Sequence, residues 1–126
     1  MVMYPETDVI QVFYDLCKEA DRALDQTNKY PEDEFDRVID HVTRHPERRN
    51  ELAAAFLKVL GEPYFVDPEL VEYCMHVLRW PEVKNAAEAR MLVEKDLRAR
   101  PGLGRVIHSF SDDWDTDGYR RWKVDN

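Results

Sequence analysis

Residues 67–89 read DPELVEYCMHVLRWPEVKNAAEA. Two Pro-Glu pairs, Pro68-Glu69 and Pro81-Glu82, each open a run whose apolar residues recur at helical spacing. Proline suits the first helical position, where its missing N–H costs nothing and its fixed φ is already helical. Glutamate one step later places negative charge at the positive end of the helix dipole. Asp67 can cap the first of the two helices through its side-chain oxygen. The stretch therefore predicts an apolar helix, a tight corner at Trp80, and a second helix carrying small residues.

The same pair recurs at Pro5-Glu6, Pro31-Glu32 and Pro46-Glu47, so five of the seven prolines precede a glutamate. Apolar spacing then predicts helices over about 7–25, 31–44, 46–60, 68–79, 81–98 and 102–110. One further turn is expected around Tyr119 and Trp122, and Gly61 is expected to close the third helix. Period-2 alternation with β-branched residues is nowhere sustained, so the fold class is all-α with six to seven helices. The starts at 31 and 46, and those at 68 and 81, form two pairs offset by about 35–37 residues, the length of a helix-turn-helix repeat. Two architectures follow: a short HEAT-like α-solenoid or an irregular helical bundle.

A chain of 126 residues with 44% hydrophobic residues suits one domain, read here as 1–126. No run is long and apolar enough to span a membrane, and MVMYPETD lacks the basic and apolar regions of a signal peptide. Cys17 and Cys74 lie on apolar helical faces and read as buried free thiols of a reducing, cytoplasmic compartment. The net charge of −8 is unevenly spread: residues 6–40 hold eleven acids against Lys18, Arg22, Lys29 and Arg37. That block would repel a phosphate backbone and attract a basic protein. Its acids Glu32, Asp33, Glu34, Asp36 and Asp40, on the expected exposed side of the second helix, are the candidate partner surface. Tyr64 and Phe65, in the loop between Pro63 and Asp67, join them as rings of the type that dominates binding hot spots.

Three patterns carry candidate chemistry. Asp113, Asp115 and Asp117 followed by Gly118 match the start of an EF-hand calcium loop, in which oxygen ligands converge while the chain turns sharply. The bidentate acid that such a loop needs at its twelfth position is replaced by Val124. His41 and His45 share a helix face at zinc-binding spacing, but Val42 stands where a zinc protease has its glutamate. Ser109 and Ser111 are the only serines, and neither sits in a nucleophile elbow. No catalytic centre is legible, and an enzyme would need a site assembled between helices.

The segment 70–89, with Leu-Arg-Trp-Pro-Glu-Val at 78–83, and Phe-Ser-Asp-Asp-Trp at 110–114 resemble small bacterial helical proteins. Some of these are similar to immunity proteins that neutralise secreted toxins. The resemblance implies an acidic antidote that docks on a basic toxin and blocks its active site; the residues themselves call for no cofactor other than calcium at the 113–118 loop.

Overall fold

The computed structural model describes residues 8–26, 31–61 and 64–123. Among them are six α-helices and no strand: α1 (Val9–Gln26), α2 (Glu32–Thr43), α3 (Arg49–Lys58), α4 (Pro68–Leu78), α5 (Pro81–Val93) and α6 (Arg100–His108). Short 3-10 turns cover Pro46–Arg48 and Arg120–Trp122. The fold is an all-α helical bundle. The helix start expected at Pro5-Glu6 and the loop position Val124 lie outside the described residues.

The Pro-Glu pairs act as their physics requires, with one variation. Pro68 and Pro81 stand at the start of α4 and α5, and the Asp67 carboxylate accepts the Glu69 N–H at 2.9 Å. Pro31 directly precedes α2. Pro46 opens a 3-10 turn that leads into α3 three residues later. Gly61 does not take a left-handed conformation. The end of α3 is closed instead by Val66 N–H donating to the Val59 carbonyl at 2.8 Å and by Arg90 Nη1 donating to the Leu57 carbonyl at 3.3 Å.

The fifth helix ends at Val93, five residues short of the expected boundary at 98. Arg100 Nη1 donates to the carbonyls of Met91 at 3.0 Å and Glu94 at 3.1 Å, satisfying acceptors that the helix end leaves open. The Glu94 carboxylate takes the Asp96 N–H and the Asp96 carboxylate takes the Arg98 N–H. Such side-chain bonds to nearby backbone compete with helix and fix a turn.

The helices lie in two rows. In one, α3 contacts α1 and α5; in the other, α4 contacts α2 and α6; α1 with α2 and α5 with α6 close the ends. Although α5 follows α4 through a tight corner, it packs chiefly on α6 and α3. Helix α4 is the centre, with every residue from Leu70 to His76 buried. A helix apolar on one face alone would leave Glu72, Tyr73 and His76 in water; here all three are enclosed and bonded. Phe13 of α1, Phe56 of α3 and Trp80 at the α4–α5 corner join the two rows through edge-to-face rings.

Candidate functional site

Of the acids at the start of α2, Asp33 is exposed as its charge predicts and Asp36 is half-buried, but Glu32 is enclosed. Glu32 is 5% exposed. Its carboxylate accepts the main-chain N–H of Arg120 at 2.6 Å and of Arg121 at 2.9 Å, and the Tyr73 hydroxyl at 3.2 Å. Asp33 pairs with the Arg120 guanidinium. Asp36 accepts Arg121 Nη2 at 2.7 Å and the Tyr73 hydroxyl at 2.6 Å. Burial, and then the bond to Asp36, push the Tyr73 hydroxyl well above the usual tyrosine range. Three of the five acids expected to meet a partner therefore hold the chain's own residues 120–121. The physical reason is that two isolated-looking basic residues, 85 to 89 positions away, reach them through the fold. Glu34 is half-buried, beside Glu19, Arg22 and Arg37, and Asp40 is exposed.

The segment after α6 is fastened across α4 by two more acids. Trp114 Nε1 donates to Glu72 Oε1 at 3.0 Å, and the Tyr119 hydroxyl donates to Glu69. Arg105 Nη2 lies 2.8 Å from the other Glu72 oxygen, without hydrogen-bond alignment. Desolvation holds the Glu69 carboxyl above its ordinary range. Tyr73, His76, Trp114, Tyr119 and Trp122 form one ring cluster, with Trp122 edge-on to Tyr73 at 5.2 Å and to His76 at 5.1 Å. His76 Nδ1 donates to the Ser109 carbonyl at 2.8 Å, and the Ser109 hydroxyl donates to the Val106 carbonyl.

In the acidic loop, Gly118 takes φ 95, the sharp turn that its position anticipates. The three carboxylates are exposed. Asp115 Oδ1 accepts the Asp117 N–H at 2.9 Å, and Asp113 donates its N–H to Ser111 Oγ at 3.0 Å. Trp114 points inward between Asp113 and Asp115. Among the described residues no group of three or more His, Cys, Asp or Glu is arranged to hold a metal ion. His41 and His45 have ring centroids 5.0 Å apart, but His41 Nε2 donates to the Val9 carbonyl at 2.8 Å and His45 Nδ1 faces Glu47 at 3.2 Å.

Both cysteines are free and buried, and desolvation pushes both thiols far above the ordinary range. Only the thiolate is an effective nucleophile. Both thiols are expected to stay unmodified by an aromatic disulfide reagent at about pH 8 in the native chain and to react fully in guanidinium. Rapid labelling of either one before unfolding would show that the core around it opens.

Tyr64 and Phe65 are 41% and 40% exposed, and Tyr64 stacks on Tyr14 with centroids 4.3 Å apart. Phe65 takes φ 39, unusual for a side chain of its size. Sequence reasoning did not find their companions. Leu92, Val93 and Leu97 are 87%, 73% and 80% exposed, and with the two rings they are the large hydrophobics left exposed among the described residues. The α3–α4 connection adjoins the end of α5 and the turn after it: Arg98 stands 5.8 Å from the Phe65 ring, and Arg90 lies against Gly61. Glu94 and Asp96, acids spaced to bond nearby main chain, are the sequence signal that α5 ends before Leu97; no local signal marks Leu92 and Val93, inside α5, as exposed. No helix among the described residues is long and apolar enough to cross a membrane. Comparison with protein-family models, with curated proteins and with solved structures returns no match.

Proposed function

We propose that the chain is a non-enzymatic protein-interaction domain, most concretely an immunity-type inhibitor of a basic protein such as a toxin. The observation that carries this reading is the exposure of Tyr64 and Phe65 in the α3–α4 connection and of Leu92, Val93 and Leu97 at the end of α5 and in the turn after it. The two segments meet where Arg98 stands by the Phe65 ring. Apolar side chains this exposed, gathered in one region, are the usual mark of a binding surface. Tyr64 adds a residue type that is enriched in binding hot spots. The net charge of −8 steers a basic partner toward the domain, and Asp40 and Glu34 remain of the expected acidic face. The rows α1–α3–α5 and α2–α4–α6, with α1 packed on α2 and α5 on α6, support reading the bundle as a short, irregular HEAT-like stack.

The test compares the native chain with a Leu92→Asp/Leu97→Asp variant as bait in the source cell's lysate and secreted fraction. Both side chains are solvent-exposed, so the variant's stability is expected to stay within about 0.5 kcal/mol of the native chain. One basic protein, held in stoichiometric amount at low salt by the native chain and at least about tenfold more weakly by the variant, is the expected result. Equal retention by both would remove this surface from the reading.

A further inference from the structure

Residues 119–122, Tyr-Arg-Arg-Trp, are held as a bound peptide would be. Glu32 reads the main chain by accepting two consecutive N–H groups, from Arg120 and Arg121. Asp33 and Asp36 read the two guanidinium groups, one each. Tyr73 and His76 read the rings: Tyr119 lies 5.0 Å from Tyr73, and Trp122 packs edge-on to both. The receptor surface thus lies on α2 and α4, with Trp114 packed on Tyr119 and Trp122 beside it, and the segment enters it through the turn at Gly118.

We propose that this groove is an exchangeable site for an Arg-Arg segment flanked by aromatic residues on another protein, with residues 119–122 as its resident competitor. The partner segment binds when the resident leaves. The chemistry selects protein over nucleic acid, because three carboxylates repel phosphate while the rings and main-chain contacts suit a peptide. The outer ion pair is mostly in water, with the Arg120 and Asp33 side chains 68% and 70% exposed. Such a pair contributes little and weakens with salt, so the resident is held chiefly by Glu32, by Asp36 on Arg121, by Glu69 on the Tyr119 hydroxyl and by the rings. Being part of the same chain, it competes at an effective concentration of order millimolar. This site shares no residue with the apolar surface proposed above, and its test needs no natural partner.

The probe is a fluorescein-labelled peptide of residues 118–123, GYRRWK, read by anisotropy against the full chain and a full-chain Arg120→Glu/Arg121→Glu variant. In the variant the resident segment is repelled by Glu32, Asp33 and Asp36. The peptide is expected to bind the variant at least about tenfold more tightly than the native chain, more weakly as salt rises. A peptide with both arginines changed to glutamate is expected not to bind. A variant with native helical circular dichroism and no gain in peptide affinity overturns the proposal. If the variant does not fold, the ¹⁵N-labelled native chain decides. Movement of the Arg120 and Arg121 amide resonances toward random-coil positions with millimolar peptide supports exchange, and unchanged resonances overturn it.

Discussion

Glu32→Ala is expected to destabilise the fold by about 2–5 kcal/mol, about 1–3 for each of the two main-chain donors that lose their acceptor. The carboxylate is 5% exposed and accepts two main-chain N–H groups and the Tyr73 hydroxyl. Alanine leaves the Arg120 and Arg121 N–H groups without their acceptor, while the Tyr73 hydroxyl keeps its shorter bond to Asp36 at 2.6 Å. For a domain with a total stability of about 5–15 kcal/mol, this is a large fraction. Urea unfolding followed by circular dichroism should show a lower midpoint with an unchanged slope. Near-ultraviolet signals from Trp114 and Trp122 should be lost at the same lowered midpoint, because both rings belong to the cluster that the carboxylate secures. Glu32→Gln keeps one acceptor but turns an amide NH₂ toward an N–H donor, so a smaller loss of about 1–3 kcal/mol is expected. A Glu32→Ala chain within about 0.5 kcal/mol of the native one would mean that the segment is not held by this residue.

The same residue shows where sequence reasoning reaches and where it stops. Pro31-Glu32 correctly marked the start of α2, because capping and dipole effects act within a single turn. The charge of Glu32 was read as surface charge, because an acid at a helix start is ordinarily solvated. Its burial depends on Arg120 and Arg121, 88 and 89 positions away, and no local rule connects them. A global signal was present: acids at 32, 33 and 36 share a helix face, and the basic doublet 120–121 sits between two aromatic residues in an acidic chain. Opposite charge blocks of that kind are candidates for pairing.

The boundary of α5 failed for a similar reason. Leu92 and Val93 continue a helical pattern, but Glu94 and Asp96 bond to nearby main chain, and Arg100 caps the carbonyls of Met91 and Glu94. A helix extended to 98 hides the fact that Leu97 lies in a turn and that Leu92 and Val93 face water. Tyr64 and Phe65 were legible because their loop is bracketed by Pro63 and Asp67, which fix it as a connection without tertiary information.

Phe56→Ala is expected to cost about 3–5 kcal/mol, as large a loss as at Glu32 but of a different kind. Phe56 is fully buried and joins three elements. Its ring meets Phe13 of α1 at 4.8 Å and Trp80 of the α4–α5 corner at 5.7 Å, both edge-to-face. The cavity has little freedom to collapse. Trp80 is covered by the Arg49 guanidinium at 4.6 Å, and Arg49 is itself held by Glu82 through bonds of 2.5 and 3.0 Å. Phe56→Leu retains most of the volume and is expected to cost well under half as much. Thermal unfolding separates the outcomes: about 10 °C or more is expected to be lost for alanine and a few degrees for leucine. Equal, small losses for both would show that α1 and the α4–α5 corner close over the space, and that the two helix rows do not depend on this ring to stay in register.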